Sequence, residues 1–72
     1  MQINATALRT IRERSGFSIR DLAKAAGISK SSLSDIEREV YNPSPGTTRR
    51  IAEALQVPIV ALLGEPTEEK VS

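Results

Sequence analysis

Apolar residues between positions 18 and 38 recur with the spacing of two short amphipathic helices. In the first segment they are Ile19, Leu22, Ala23 and Ala26, which stand at i, i+3, i+4 and i+7. Leu33 and Ile36 continue the same spacing in the second segment. Gly27 lies between the two and favours the left-handed conformation in which many helices end. Two helices joined by so short a turn must cross steeply, and this pattern predicts a helix-turn-helix.

Three helix starts share a second pattern, in which an apolar residue precedes a polar cap. The caps are Asn4, Ser18 and Ser29, whose side chains can accept from free N–H groups of the first helical turn. Each preceding apolar residue can contact the fourth residue after the cap, which is the hydrophobic-staple spacing. The three apolar pairs are Ile3 with Leu8, Phe17 with Leu22, and Ile28 with Leu33. The first helix is expected to run to about Arg14, with Leu8 and Ile11 facing inward.

Proline and glycine divide the rest of the chain. Pro43 cannot continue the third helix, so residues 38–42 are predicted to form a loop. Ser44 and Pro45 suit the cap and the first position of a fourth helix that runs to about Gln56. The residues that this helix is expected to bury are Ile51, Ala54 and Leu55. A short fifth helix is predicted from Ile59 to Leu63, closed by Gly64. The prediction is an all-α domain of five helices over residues 1–64, with a frayed polar tail over 65–72.

The amino-acid composition excludes several kinds of chemistry. The chain has 72 residues, neither cysteine nor histidine, and no apolar run near the roughly 20 residues needed to cross a bilayer. Disulfides, thiol or histidine catalysis and zinc-finger chemistry are therefore excluded, and no enzyme activity, metal or cofactor is expected. The first ten residues do not have the pattern of a signal peptide. A cytoplasmic protein with no membrane partner is predicted.

Charge is divided unevenly along the chain. Residues 1–38 hold seven basic side chains against four acidic ones, whereas residues 39–72 hold three against five. The first part therefore carries a net charge of +3 and the second −2. Such a division fits one side that faces a polyanion, although scatter over a solvated surface fits it equally well.

The helix-turn-helix pattern turns the polar residues of the third helix into candidates for DNA contact. A reading helix uses the exposed positions of its N-terminal part on base edges. Those candidates are Lys30, Ser31, Ser34 and Asp35, since Leu33 and Ile36 face the core. Lys30 can donate to guanine, while Asp35 can accept from cytosine or pair with Lys30 or Arg38. The alternative interpretation is a solvated helix face.

Phosphate contacts are expected around the same two helices. The candidates are Ser18, Arg20, Lys24, Ser29, Arg38 and Asn42. Helix N-termini with free N–H groups suit phosphate, although capping alone explains Ser18 and Ser29. Each of the others is individually consistent with an ordinary surface side chain.

Arg12 and Glu37 are placed to form a bidentate ion pair that links the first helix to the reading helix.

A second feature concerns dimerisation. Ile59, Val60 and Leu63 are predicted to form a dimer interface, because the short fifth helix cannot bury all its apolar residues. Leu62 is assigned to the core. One reading helix reads too few base pairs to select a genomic site, so a weak homodimer on a palindromic operator is expected.

The chain resembles the lambda repressor and Cro-like (XRE-type) helix-turn-helix proteins from Leu8 to Leu63. The matching stretches are LRTIRERSGFS at 8–18, DLAKAAGIS at 21–29, LSDIER at 33–38, NPS at 42–44, RIAEALQVP at 50–58 and ALL at 61–63. The resemblance implies a five-helix domain that binds double-stranded DNA as a transcriptional regulator, usually as a dimer. It also implies the Arg12–Glu37 pair. Two positions depart from the family pattern, which usually has glutamine at Ile19 and glycine at Glu39. The alternative function is a small antitoxin-like or protein-interaction module whose tail binds a partner protein.

Overall fold

The structure is a computed structural model that describes residues 3–63. This part of the chain contains five α-helices. Their bounds are Ala5–Arg14 (α1), Ile19–Ala26 (α2), Lys30–Glu37 (α3), Pro45–Leu55 (α4) and Val60–Leu63 (α5). The prediction of an all-α, five-helix fold is confirmed, with no strand within residues 3–63. Residues 64–72, which include the predicted stop at Gly64 and the predicted tail, lie outside the described residues. None of the described helices has the length and apolar character needed to span a bilayer.

Each of the first four helices begins at a polar cap. The side-chain oxygens of Asn4, Ser18 and Ser29 accept hydrogen bonds of 2.9, 3.0 and 3.0 Å from the N–H groups three residues ahead. Ser44 does the same for α4 at 3.2 Å, with Pro45 at the first helical position. Every predicted cap is therefore in place. The fifth helix begins at Val60, one residue later than expected, because Ile59 lies in a turn.

The core lies where α1 and α4 pack around the helix-turn-helix formed by α2 and α3. α2 contacts both α3 and α4, while α1 contacts α3 and α5. The largest buried apolar side chains are Leu8, Leu22, Leu33, Ile36, Ile51 and Leu62. Leu62 is thus a core residue, as predicted.

The buried face of α4 differs in part from the expectation. Thr48, Ile51, Ala52 and Leu55 are buried, whereas Ala54 is only half-buried. These four positions stand at i, i+3, i+4 and i+7, and Ala54 falls beside that stripe. The buried Thr48 hydroxyl donates to the Ser44 carbonyl at 3.1 Å, so the first turn of the helix itself provides its hydrogen-bond partner.

The first four helices end in the same backbone arrangement. Beyond each helix, one N–H bonds back by three residues and the next N–H bonds back by five, as in the Schellman motif. The residue at the turning position has a positive φ in all four cases, at Gly16 (81°), Gly27 (74°), Glu39 (63°) and Gln56 (60°). The following residue is apolar each time, being Phe17, Ile28, Val40 or Val57. Three of these pack on the core, but Val40 is 65% exposed.

Candidate nucleic-acid interface

α3 divides into a buried stripe and an outward stripe. Leu33, Ile36 and Glu37 are buried against the rest of the domain. The residues predicted to contact bases lie on the other side, with Lys30 and Ser31 exposed and Ser34 and Asp35 partly exposed. Their spacing of one and four residues places all four on one helical face. The structure therefore presents the predicted base-reading residues together to solvent.

The predicted phosphate contacts of α2 and the turn fall into two kinds. Arg20 and Lys24 are exposed and stand four residues apart, on one side of α2. The hydroxyls of Ser18 and Ser29 already accept the capping hydrogen bonds, and the Ser29 hydroxyl also donates to Ser32 at 2.9 Å. The side chains of Arg20 and Lys24 thus remain available for contact with phosphate. Ser18 and Ser29 have a capping role that is enough to explain their presence.

The remaining candidates lie at the C-terminal end of α3 and in the loop after it. Oδ1 of Asp35 is 3.8 Å from Nη1 of Arg38, and both side chains are well exposed. This contact matches the alternative in which Asp35 pairs with the basic side chain of Arg38. Oδ1 of Asn42 accepts a hydrogen bond of 3.4 Å from the N–H of Ile3, which leaves the amide NH2 of Asn42 as its possible donor to phosphate.

A buried ion pair joins α3 to α1. Nε and Nη2 of Arg12 donate to the two carboxylate oxygens of Glu37 at 2.6 and 3.1 Å. Nη1 of Arg12 donates to the carbonyl of Phe17 at 2.8 Å. The hydrogen bond with Glu37 raises the pKa of Arg12 above its ordinary value, against the opposing effect of burial. Arg12 consequently stays cationic over the whole range of pH in which proteins are handled.

Arg9 is a functional candidate that the sequence patterns did not identify. Its Nη2 donates to the backbone carbonyl of Glu37 at 3.2 Å, and its Nε lies 3.6 Å from the Glu37 carboxylate. The available signal was spacing, since Arg9 precedes Arg12 by three residues and so shares its face of α1. Two arginines of one helix therefore converge on one residue at the end of the reading helix.

The residues predicted for the dimer interface differ in exposure. Val60 is 65% exposed, whereas Ile59 and Leu63 are half-buried and Ile59 packs on the core. Val60 and the loop residues Val40 and Tyr41 are the large apolar side chains that are exposed within residues 3–63.

Within residues 3–63, no group of three potential ligands among histidine, cysteine, aspartate and glutamate stands close enough to hold a metal ion.

Comparison with known proteins extends these observations. A family model described as "Helix-turn-helix" matches residues 8–62. The immunity repressor of Bacillus phage phi105 is 40% identical over 60 residues, which are 83% of this chain and 42% of the repressor. The chain spans less than half of the length of this and two other curated relatives.

Two solved structures of SinR, the master regulator for biofilm formation, share the fold. SinR in complex with DNA superimposes with a TM-score of 0.77 at 32% identity, covering 81% of this chain and 97% of that chain. The complex of SinR with the SinI protein gives a TM-score of 0.82 at 35% identity, covering 94% of this chain and 67% of that chain.

Proposed function

Because the chain belongs to the helix-turn-helix family whose model matches residues 8–62, we propose that it binds double-stranded DNA sequence-specifically and regulates transcription as a repressor. Its relatives are named as transcriptional regulators and as a phage immunity repressor. The observation that carries the proposal is the outward stripe of α3, which is polar, solvent-exposed and fixed from behind by buried side chains. An α-helix of this kind fits the major groove.

In the proposed complex, the outward stripe reads bases. Lys30 donates to guanine O6 or N7, and Ser31 and Ser34 serve as donors or acceptors on neighbouring base edges. Asp35 either accepts from cytosine N4 or, as its 3.8 Å contact suggests, stays with Arg38. The exposed cations of α2, Arg20 and Lys24, take phosphates on the same side of the groove.

The phosphate set is completed by Ser18, Ser29, Arg38 and Asn42, as the sequence predicts. Ser18 and Ser29 stand at the N-termini of α2 and α3, where backbone N–H groups and the helix dipole favour an anion. Ile19 occupies the family's glutamine position and is half-buried on the core. The side chain of Ile19 cannot donate a hydrogen bond to phosphate. Arg20 and the backbone N–H groups at the start of α2 therefore have to bind the phosphate there.

We further propose a weak homodimer on a palindromic operator, formed through Ile59, Val60 and Leu63. The exposed Val60 supports this assignment, because α5 leaves an apolar side chain in solvent beside two half-buried ones. A two-fold axis doubles the number of bases read without a second kind of domain.

Selection of binding sites from random double-stranded DNA tests the proposal directly. The expected result is one enriched motif, palindromic, with half-sites about 10 base pairs apart or a multiple of that spacing. Enrichment of a single unrepeated half-site contradicts the dimer but keeps the DNA-binding function. Recovery of random sequences with equal affinity contradicts sequence-specific reading.

The second candidate is a protein-interaction function, which the resemblance to SinR in its complex with SinI favours. Under this interpretation residues 65–72, which contain three glutamates, bind a partner protein. Deleting 65–72 should then abolish capture of the partner and leave DNA binding unchanged. Loss of DNA binding on the same deletion contradicts the assignment of that function to residues 8–62.

A further inference from the structure

Arg9 contacts the last residue of α3 in two ways. Its Nη2 donates a hydrogen bond of 3.2 Å to the backbone carbonyl of Glu37, and its Nε lies 3.6 Å from Oε1 of the same residue. The Arg9 side chain is 53% exposed and that of Glu37 is 3% exposed. Arg9 therefore reaches from the solvent-exposed side of α1 to the buried end of α3.

The two arginines constrain α3 differently. Arg12 holds the carboxylate of Glu37, which is separated from the helix backbone by three rotatable side-chain bonds. Arg9 holds the carbonyl, which belongs to the backbone itself. That carbonyl is among the last four of the helix, which have no acceptor role inside it, and a cation there also faces the negative end of the helix dipole.

We propose that Arg9 is a positioning residue for base recognition, which fixes the rotation and depth of α3 by holding its terminal carbonyl. Without it, the C-terminal end of α3 is held to α1 through the flexible side chain of Glu37 and through apolar packing. The N-terminal base-reading residues then lose their register with the groove. This inference rests on the proposed reading of DNA by α3.

Replacing Arg9 with lysine distinguishes a positioning role of the guanidinium from a role of the positive charge alone. Arg9→Lys keeps the cation but replaces the planar guanidinium with a single ammonium, which cannot reach the carbonyl and the carboxylate in the same fixed geometry. A simple phosphate contact would tolerate lysine. Arg14→Lys is the matched control, because Arg14 is exposed on the same helix and its side chain forms no ion pair with another residue within residues 3–63.

The experiment measures affinity for the selected operator and for random duplex DNA over a range of salt, with each variant held well below its melting temperature. Arg9→Lys is expected to lose about three- to tenfold in operator affinity, as for one charged hydrogen bond that is half-exposed. Its affinity for random DNA and its salt dependence should stay at the wild-type values. Its base preferences should broaden, and hydrogen exchange of the amides of Ile36 and Glu37 should accelerate in the free protein.

Wild-type operator affinity and base preferences in Arg9→Lys overturn the inference. Arg9→Ala gives a second test, since a salt slope reduced by about one unit in that variant marks a phosphate contact and also overturns it. A wild-type protein that binds DNA without sequence preference overturns the proposed function and this inference with it. Wild-type selectivity with an unaffected Arg9→Lys overturns this inference alone.

Discussion

Glu37 of the reading helix and Arg12 of α1 form a buried bidentate ion pair, with nitrogen–oxygen distances of 2.6 and 3.1 Å. Both residues are less than a tenth exposed. Removing two charges from water opposes folding, so such a pair adds little net stability, but an unmatched charge left behind is strongly unfavourable. A rotation of α3 against α1 that separates the two groups is therefore unfavourable.

Glu37→Ala should lower the free energy of unfolding by about 3–5 kcal/mol, because it leaves the Arg12 guanidinium buried without its carboxylate. Urea denaturation measures the loss, with exposed Glu53→Ala as the control. Replacing both partners, as Arg12→Met with Glu37→Leu, should be less harmful than Glu37→Ala alone. A loss of only a few tenths in Glu37→Ala would show that water replaces the carboxylate.

The same pair predicts how stability responds to alkaline pH. Because its hydrogen bond with Glu37 raises the pKa of Arg12 in the folded state, the linked stabilisation is fully present below the unfolded arginine pKa. It is lost only as pH rises through the higher folded value. The urea midpoint should therefore show no Arg12-linked decline between about pH 7 and pH 9. Replacing Arg12 with lysine, which titrates lower, should introduce a decline at alkaline pH.

Glu39→Gly should stabilise the fold by about 1 kcal/mol, because Glu39 adopts the left-handed conformation at a helix end where glycine has no steric penalty. Gln56→Gly should act in the same direction, for the same reason. Gly27→Ala should destabilise by about 1 kcal/mol through the backbone alone, since an added Cβ meets no atom within 4 Å. Thermal unfolding of the three variants checks the signs, and a destabilised Glu39→Gly would contradict the argument.

Local chemistry explains how much of this fold could be predicted from sequence. The caps at Ser18 and Ser29 depend on residues within three positions of one another, so their geometry follows from spacing. The buried stripe of α3 follows from helical periodicity for the same reason. The five-helix fold was therefore predictable nearly to the residue.

Contacts between helices were harder to predict. Arg9 and Glu37 stand 28 positions apart, and their contact depends on how α1 crosses α3, which periodicity does not define. The burial of Ala52 rather than Ala54 depends likewise on the rotation of α4 against α2. The Arg12–Glu37 pair was an exception, because the placement of the two residues on their helices predicted it and the family resemblance implied it as well.

Lys30→Ala should weaken binding to the selected operator by about 1–3 kcal/mol and leave thermal unfolding unchanged, because the side chain is exposed at the start of α3. Arg50→Ala on the exposed side of α4 is the control for loss of one cation. Fluorescence titration against cognate and random duplexes measures the effect. Equal weakening on both duplexes would reassign Lys30 to phosphate.

Asp35→Asn separates two roles of the acidic residue in the outward stripe. If Asp35 accepts from cytosine, the amide should change base preference at one operator position. If it pairs with Arg38, as their 3.8 Å contact indicates, the change should tighten binding to every sequence alike, because one negative charge is removed and Arg38 is released. We expect the second result. Competition assays with single-base variants of the operator distinguish the two, and an altered preference at a single position would contradict our expectation.

Val60→Glu should abolish cooperative binding to an operator with two half-sites while the monomer stays folded. In the proposed dimer, a second copy about 34–36 Å away on a two-fold axis doubles the few base pairs that one reading helix contacts. Val60 is 65% exposed on α5, whereas Leu62 of the same helix is fully buried. We propose that so small an apolar surface forms only a weak free dimer, and that DNA strengthens it by placing two copies side by side. A buried glutamate at its centre opposes that contact, yet it stays solvated in the monomer. Gln56→Glu is the control that adds the same charge at an exposed position four residues earlier in the chain. Sedimentation on operator DNA should show two wild-type chains per palindrome and independent filling of half-sites by Val60→Glu. One wild-type chain per palindrome would remove the dimer from the proposal.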